Sequence, residues 1–272
     1  MIRGLQRLKR STIGEALRST LLCIVAVCCG CFGRGAFAQP SNASVLTVVC
    51  PGNVAQQFLS ETGTVVAFTA SVTGGCSQAS ITFTPQSGSL FQIGTTPVSL
   101  LVTDGCSSVQ CFFDVTVLGP RDIKSQMVAD LLALQFAANK GVDRRSLNTV
   151  IRKLTASLDA DFWQDQTHVV TNHGTTVFSQ ERGAVSVLHS LQINKRSELA
   201  DNTLQNFIDQ LVASDRLLAA VRIQDAAARS SSSNKIAQAR SELEKGDQDV
   251  SKNRASSAIG HYQTAWTRVS KL

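Results

Sequence analysis

The repeat of apolar residues changes period once, at Gly119-Pro120, and that change limits the fold more than any other feature. Before it, Val98, Leu100 and Val102 alternate with Ser99, Leu101 and Thr103, and Val109, Cys111, Phe113, Val115 and Val117 repeat the pattern. Successive side chains of a strand point to opposite faces, so a period of two, rich in β-branched and aromatic residues, predicts two half-buried strands. Between them, Asp104-Gly105 supplies turn chemistry, because glycine accepts the positive φ of a tight hairpin. Beyond Pro120 the apolar residues recur every three or four positions, the period of a helix. A proline there cannot continue a ladder and suits a linker or a first helical turn. The chain is therefore expected to be multidomain, β then α, with a β domain over residues 39–120 and an α-helical domain over 121–272.

Upstream of the hairpin, short alternating runs recur at Val45 to Val49, Val65 to Val72 and Ser80 to Thr84. Turn clusters separate them at Glu61-Thr62-Gly63, Thr73-Gly74-Gly75 and Pro85-Gln86-Ser87-Gly88. Short strands at this spacing predict an antiparallel sandwich. From Gln39 to Pro120 there is no Lys or Arg, and Glu61, Asp104 and Asp114 are the only acidic residues. Cys50, Cys76, Cys106 and Cys111 all fall within this segment, while the helical part has no cysteine. An even number in one small exported domain reads as two disulfides, and four cysteines allow three pairings. So short a β segment buries little core, which gives such cross-links physical value.

The first 38 residues read as an export signal. Arg3, Arg7, Lys9, Arg10 and Arg18 form a basic region, the run Leu21 to Phe32 is apolar, and Ala36-Phe37-Ala38 is a small-x-small cleavage pattern. Spanning a bilayer takes roughly 20 apolar residues and this run is shorter, so cleavage after Ala38 is expected, with retention as an anchor the alternative. Cys28, Cys29 and Cys31 do not follow the Leu-small-small order of a lipoprotein signal. Removing the segment changes the charge argument. It holds six of the 26 basic and one of the 20 acidic side chains, which leaves 20 against 19, so the net charge of +6 falls to about +1. The basic excess that would suggest nucleic acid leaves with the signal. No nucleic-acid partner is expected, and membrane contact only through the signal segment.

In the helical part Ile123, Met127, Leu131, Leu134 and Ala138 share a face, with Gly141 read as the close of that helix and Asp143 as the cap of the next. The second helix carries Leu147, Val150, Ile151, Leu154 and Leu158. Residues 165–179 read as a loop, with Phe162 and Trp163 as a hydrophobic plug. Val185, Leu188, Leu191 and Ile193 mark a third helix, and a long one starts near Asp201 with Leu204, Phe207, Ile208, Leu211, Leu217, Leu218 and Val221. The serines 230–233 form a break or the cap of a helix at Asn234 carrying Ile236, Ala239 and Leu243. Ala258, Ile259, Tyr262, Ala265, Trp266 and Val269 make a final packing stripe.

Few constellations carry chemistry. His168 and His173 lie five apart in the expected loop with no Cys beside them, and His189 and His261 stand apart. No metal site is read from them. Asp159, Asp161 and Asp165 imitate the start of a calcium loop, but Trp163 and Gln164 occupy positions where an oxygen ligand and a glycine are required. There is no Gly-x-Ser-x-Gly elbow, P-loop or dinucleotide fingerprint, and nothing selects a Ser/His/Asp triad. Basic residues such as Lys195, Arg196 and Arg216 alternate with acids, as on a solvated face. Asn42-Ala43-Ser44 matches a glycosylation triplet, which matters only in a eukaryotic host. No catalytic residue, cofactor or metal is expected.

Several ordered segments resemble a hyalin-repeat (HYR) module, an immunoglobulin-like β-sandwich. They are the opening Val48-Val49-Cys50-Pro51, Gly75-Cys76, Ser87-Gly88-Ser89-Leu90-Phe91, Ile93-Gly94-Thr95-Thr96-Pro97-Val98, and the closing Val102-Thr103-Asp104-Gly105 and Cys111 to Val117. Two departures stand out. The family's frequent Cys near Thr82-Phe83 is absent, and Cys106-Ser107-Ser108 replaces its Gly-Asn in the last hairpin. The resemblance implies neighbouring first and last strands, hence Cys50 with Cys111, and loops at one end that join Cys76 to Cys106. The helical part, taken as a bundle, is similar to segments that follow such modules in bacteria. Lys245-Gly246-Asp247 ahead of Ala258-Ile259-x-His261-Tyr262-x-x-Ala265-Trp266 carries that likeness, which implies packing. What the resemblance implies is a secreted or cell-surface, non-catalytic protein that adheres to a protein or surface glycan. The alternative is an accessory or remnant module of an extracellular enzyme system.

Overall fold

The computed structural model describes residues 44–229 and 231–272, so the export segment, the cut after Ala38 and Asn42 lie outside the described residues. A β region over residues 44–118 is followed by six α-helices. Its eight strands are β1 (Ser44–Val49), β2 (Val54–Gln57), β3 (Thr64–Val66), β4 (Ser71–Gly75), β5 (Ser80–Thr84), β6 (Ser89–Phe91), β7 (Gly94–Thr103) and β8 (Ser108–Leu118). They pair as β1-β4, β3-β6 and the four-stranded sheet β2-β8-β7-β5. The described chain divides into two compact units. One takes the chain to Pro51, Thr69–Thr82 and Leu100–Cys111; the other takes Gly52–Phe68, Phe83–Ser99 and Phe112–Leu272.

In the first unit β1 runs antiparallel to β4, with Val49 opposite Ser71 and Ser44 opposite Gly75. Leu46, Leu100, Val102 and Cys111 are buried, the inward positions of their strands. Thr73-Gly74-Gly75, expected as a turn, lies inside β4 instead. Both glycines have positive φ. Their cause is close approach rather than chain reversal: a Cβ on Gly75 would sit 2.8 Å from Asp104 Oδ2, and one on Gly74 would strike the Val45 carbonyl.

The second unit holds a core of Val66, Phe68, Phe91, Val98, Phe113, Val115 and Val117, against which Phe83 packs. The Phe68 ring meets those of Phe83 and Phe113 edge-on at 5.0 Å each. The single strand expected over Val65 to Val72 is two, because Ser87 interrupts it. Its Oγ accepts the Phe68 N–H at 2.8 Å and donates to the Phe68 carbonyl at 2.7 Å, removing both groups from any ladder. One pairing departs from the antiparallel expectation: β2 runs parallel to β8, Val54 beside Val115 and Gln57 beside Leu118. Parallel neighbours need a long crossover, and the β strands between them supply it.

The helices are α1 (Pro120–Ala137), α2 (Gly141–Ser157), α3 (Gly174–Gln192), α4 (Asp201–Arg229), α5 (Ser233–Ser251) and α6 (Ala255–Val269). Pro120 opens α1, where its missing N–H costs nothing. Gly141 does not close α1. Ala138 already has extended backbone, and Gly141 is the first residue of α2. Asp143 is not a cap either; it is buried in the first turn of α2 and accepts the Glu198 N–H at 3.1 Å. The loop expected over 165–179 ends at His173, because Gly174 begins α3 under the Trp266 ring, where a Cβ would clash. Trp163 is the plug expected, buried and donating Nε1–H to the Ser157 carbonyl at 2.8 Å. Ile193, expected inside, is 71% exposed because α3 ends one residue before it. The stripe of α6 is buried throughout, and Tyr262 lies against Gly246 while donating to Asp247 Oδ1 at 2.8 Å. Among the described residues no helix is long and apolar enough to cross a membrane.

Candidate interaction site

The four cysteines of the β region are all bonded, Cys50 to Cys111 and Cys76 to Cys106, with Cα separations of 6.0 and 6.4 Å. The second bond closes around Asp104, at the tip of the β7–β8 hairpin. Its carboxylate accepts the N–H groups of Ser107 at 2.7 Å and of Cys76 and Cys106 at 3.0 Å each, and the Ser107 hydroxyl at 3.1 Å. The Ser77 hydroxyl donates to the Asp104 carbonyl. Those donors, the Ser107 N–H first and then Cys76 and Cys106, favour the charged form and hold the Asp104 carboxyl at about 2. Cys76, Asp104 and Cys106 are residue types that bind metals and sit close together. Here both sulfurs are spent in the disulfide and the carboxylate is filled with donors. The arrangement does the work of a turn lock: it fixes two loops at one end of this unit.

Outward-facing positions of the second unit carry exposed apolar groups. Phe112 is 70% exposed on β8, and its inward neighbours Cys111 and Phe113 are buried, as the strand period requires. Along the same face Thr116 meets Thr95 at 3.0 Å and the Ser99 hydroxyl donates to the Thr84 carbonyl at 3.4 Å. On the β3–β6 ribbon Val65 stands directly opposite Leu90, both exposed. With no cation anywhere in residues 39–120, these faces offer hydroxyls and apolar surface but little charge. An exposed ring beside hydroxyls can stack on a sugar or seat an apolar side chain, and such anchors dominate interface energies.

The helical residues weighed for chemistry are not brought together. His168 is held between Asp165 and Asp225, Nδ1 at 2.7 Å and Nε2 at 3.1 Å, whereas His173 stacks on the Phe162 ring with centroids 4.3 Å apart. His261 Nδ1 lies 2.9 Å from Glu242. Asp159 accepts the Asp161 N–H and Asp165 accepts from Thr167 and His168, so the calcium-loop imitation is taken up by local turns. Sequence reasoning missed a fully buried charge cluster among the described residues. Lys124 Nζ is 2.8 Å from Glu181 Oε2 and 2.9 Å from Asp215 Oδ1, and all three side chains have no exposure. Burial opposes the Lys124 charge, but Asp215 and Glu181 overcome it and raise its pKa. Burial, reinforced by Glu181, lifts the Asp215 carboxyl well above the usual range despite Lys124. Its signal was readable: Lys124 falls on the inward stripe of α1 between Ile123 and Met127.

Residues 45–117 match the HYR domain family, one of extracellular, adhesion-like modules. No curated protein and no solved structure matches the chain.

Proposed function

We propose that this is an exported, non-catalytic protein whose HYR-matched segment, folded as an immunoglobulin-like sandwich, is an adhesion or interaction module. The observation that carries the reading is the family match over 45–117 together with the two cysteine pairs closed inside it. Disulfides persist in oxidising compartments, and the segment is cysteine-paired where the helical part has none. In this reading residues 1–38 direct export to the secreted or cell-surface state and are removed. The partner is a protein or a surface glycan, met by the cation-free faces bearing Phe112 and the Val65–Leu90 pair. The helices form a bundle that serves as spacer or docking platform.

The test uses the chain from Gln39 immobilised and challenged with whole-cell and envelope extracts. Phe112→Ser combined with Leu90→Ser should cut recovery of the partner about tenfold or more, the usual loss for a truncated apolar anchor. The melting temperature should change little, since both side chains are exposed. Undiminished recovery with the double variant would refute these faces as the contact surface.

A further inference from the structure

Residues 195–198, between α3 and α4, and the start of α2 line an open surface cleft of about 500 Å³. Its charged lining is Lys140, Arg145, Lys195, Arg196 and Glu198. Glu198 is already engaged, 2.9 Å from Lys140 Nζ. Among the described residues the guanidinium groups of Arg145 and Arg196 and the ammonium of Lys195 form no ion pair or hydrogen bond, so three free cationic heads face one concavity. Like charges gathered without a counter-charge repel, and a bound anion relieves that repulsion.

The cleft is held open by its own bonds. Buried Asp143 Oδ2 accepts the Glu198 N–H at 3.1 Å and so pins this segment to the first turn of α2. The Asn194 carbonyl accepts the Ser197 N–H at 2.9 Å, and Asn194 Oδ1 accepts the Arg196 N–H at 3.0 Å. On the other wall Arg144 Nε donates to the Ala138 carbonyl at 2.9 Å and Nη2 to Asn139 at 3.3 Å, fixing the turn from which Lys140 projects. A ligand entering this site would therefore meet a backbone already fixed, and the ordering cost of binding falls on the exposed side chains of Arg145, Lys195 and Arg196.

The lining also selects a class of ligand. A guanidinium presents a planar fork that matches the oxygens of a phosphate or sulfate, and a lysine adds a compact point charge. One such group would satisfy one fork and leave a second arginine and a lysine unpaired. The volume lies in the range of small-ligand sites, roughly 300–1,000 Å³, and exceeds what a single oxyanion fills. We infer that this cleft binds a small polyanion carrying at least two phosphate or sulfate groups, gripped by Arg145, Arg196 and Lys195.

Calorimetric titration of the chain from Gln39 with tripolyphosphate tests this. One saturable site is expected, weakening as salt rises because exposed charges are screened over about 8 Å at physiological ionic strength. Arg145→Ser with Arg196→Ser should weaken binding about tenfold or more per arginine removed. Arg152→Ser, on the same helix outside the cleft lining, should leave it unchanged. Co-sedimentation with vesicles containing phosphatidylglycerol identifies the source of the groups. Pelleting that the double variant loses and tripolyphosphate competes away assigns a lipid headgroup. Tripolyphosphate binding without pelleting assigns a soluble or glycan-borne ligand. The absence of saturable heat at millimolar tripolyphosphate would overturn the inference, as would equal binding by the double variant with an unchanged melting temperature.

Discussion

Replacing Lys124 by Met is the sharpest probe of how the helices are held. The ammonium is fully buried, within 2.9 Å of carboxylates on two other helices, and 5.3 Å from the centre of the Trp163 ring. Methionine keeps most of the volume but leaves two carboxyls facing each other without a cation. Glu181 Oε1 and Asp215 Oδ2 already lack partners in the intact protein, so the site has no spare donors to offer. Breaking one partner out of a buried ion pair costs about 3–5 kcal/mol. For a chain of this size that corresponds to a fall of roughly 6–20 °C in melting temperature. The deficit should depend on pH. Asp215, already raised, binds its proton more tightly folded than unfolded, so the stability that proton contributes is present below the ordinary value of 3.8 and lost as pH rises through the folded value. Without Lys124 the folded value rises further, so the variant should be closest to the parent near pH 4 and furthest from it near pH 8. Thermal melts followed by far-UV circular dichroism across that range measure it. Adding Glu181→Gln and Asp215→Asn to the variant should restore most of the loss, because no uncompensated charge remains. A deficit under about 1 kcal/mol at pH 8, or one that does not change with pH, would refute the view of a dry, charge-balanced site.

The remaining expectations concern the β region and the ends of the chain. Exchanging Cys76 and Cys106 together for Ser should cost about 3–4 kcal/mol on the chain-entropy model, since the bond spans 30 residues; denaturant melts of both proteins, unreduced, measure the difference. Asp104→Asn should destabilise the β region at neutral pH. The difference from the parent should close as pH falls from about 4 to about 2, because a depressed carboxyl contributes above its unfolded value of 3.8 and stops contributing through its folded value. Exported material should have the mass of a chain beginning at Gln39, and a mass that includes residues 1–38 or an acylated cysteine would contradict this. Residues 121–272 expressed alone should give a helical circular dichroism spectrum, whose absence would refute independent folding of that part.

What was legible in the sequence depended on how local the cause was. The β7–β8 hairpin was readable because each inward residue, from Val98 to Val117, announces its face by its own chemistry and its parity along the strand. Pro120 likewise acts within its own turn, and the α6 stripe repeats at the helical period. Gly74 and Gly75 look the same in sequence whether they turn the chain or let a neighbour approach, and the neighbour that decides for Gly75 is Asp104, nearly thirty residues on. Gly141 and Asp143 mislead for a related reason. Both residue types end or begin helices, but the Asp143 carboxylate is claimed by Glu198 across a long separation rather than by its own first turn. The candidate sites follow the same rule. Phe112 could be read as outward from parity alone, whereas Lys195 and Arg196 look like part of a solvated face until the fold sets them against Arg145. Lys124 lies between these cases. A lysine on an inward stripe requires a counter-charge, so the existence of a partner was implied. Its identity was not, because α4 alone carries four acids, Asp201, Asp209, Asp215 and Asp225, and only the packing of the helices brings Asp215, together with Glu181 of α3, within reach of Nζ.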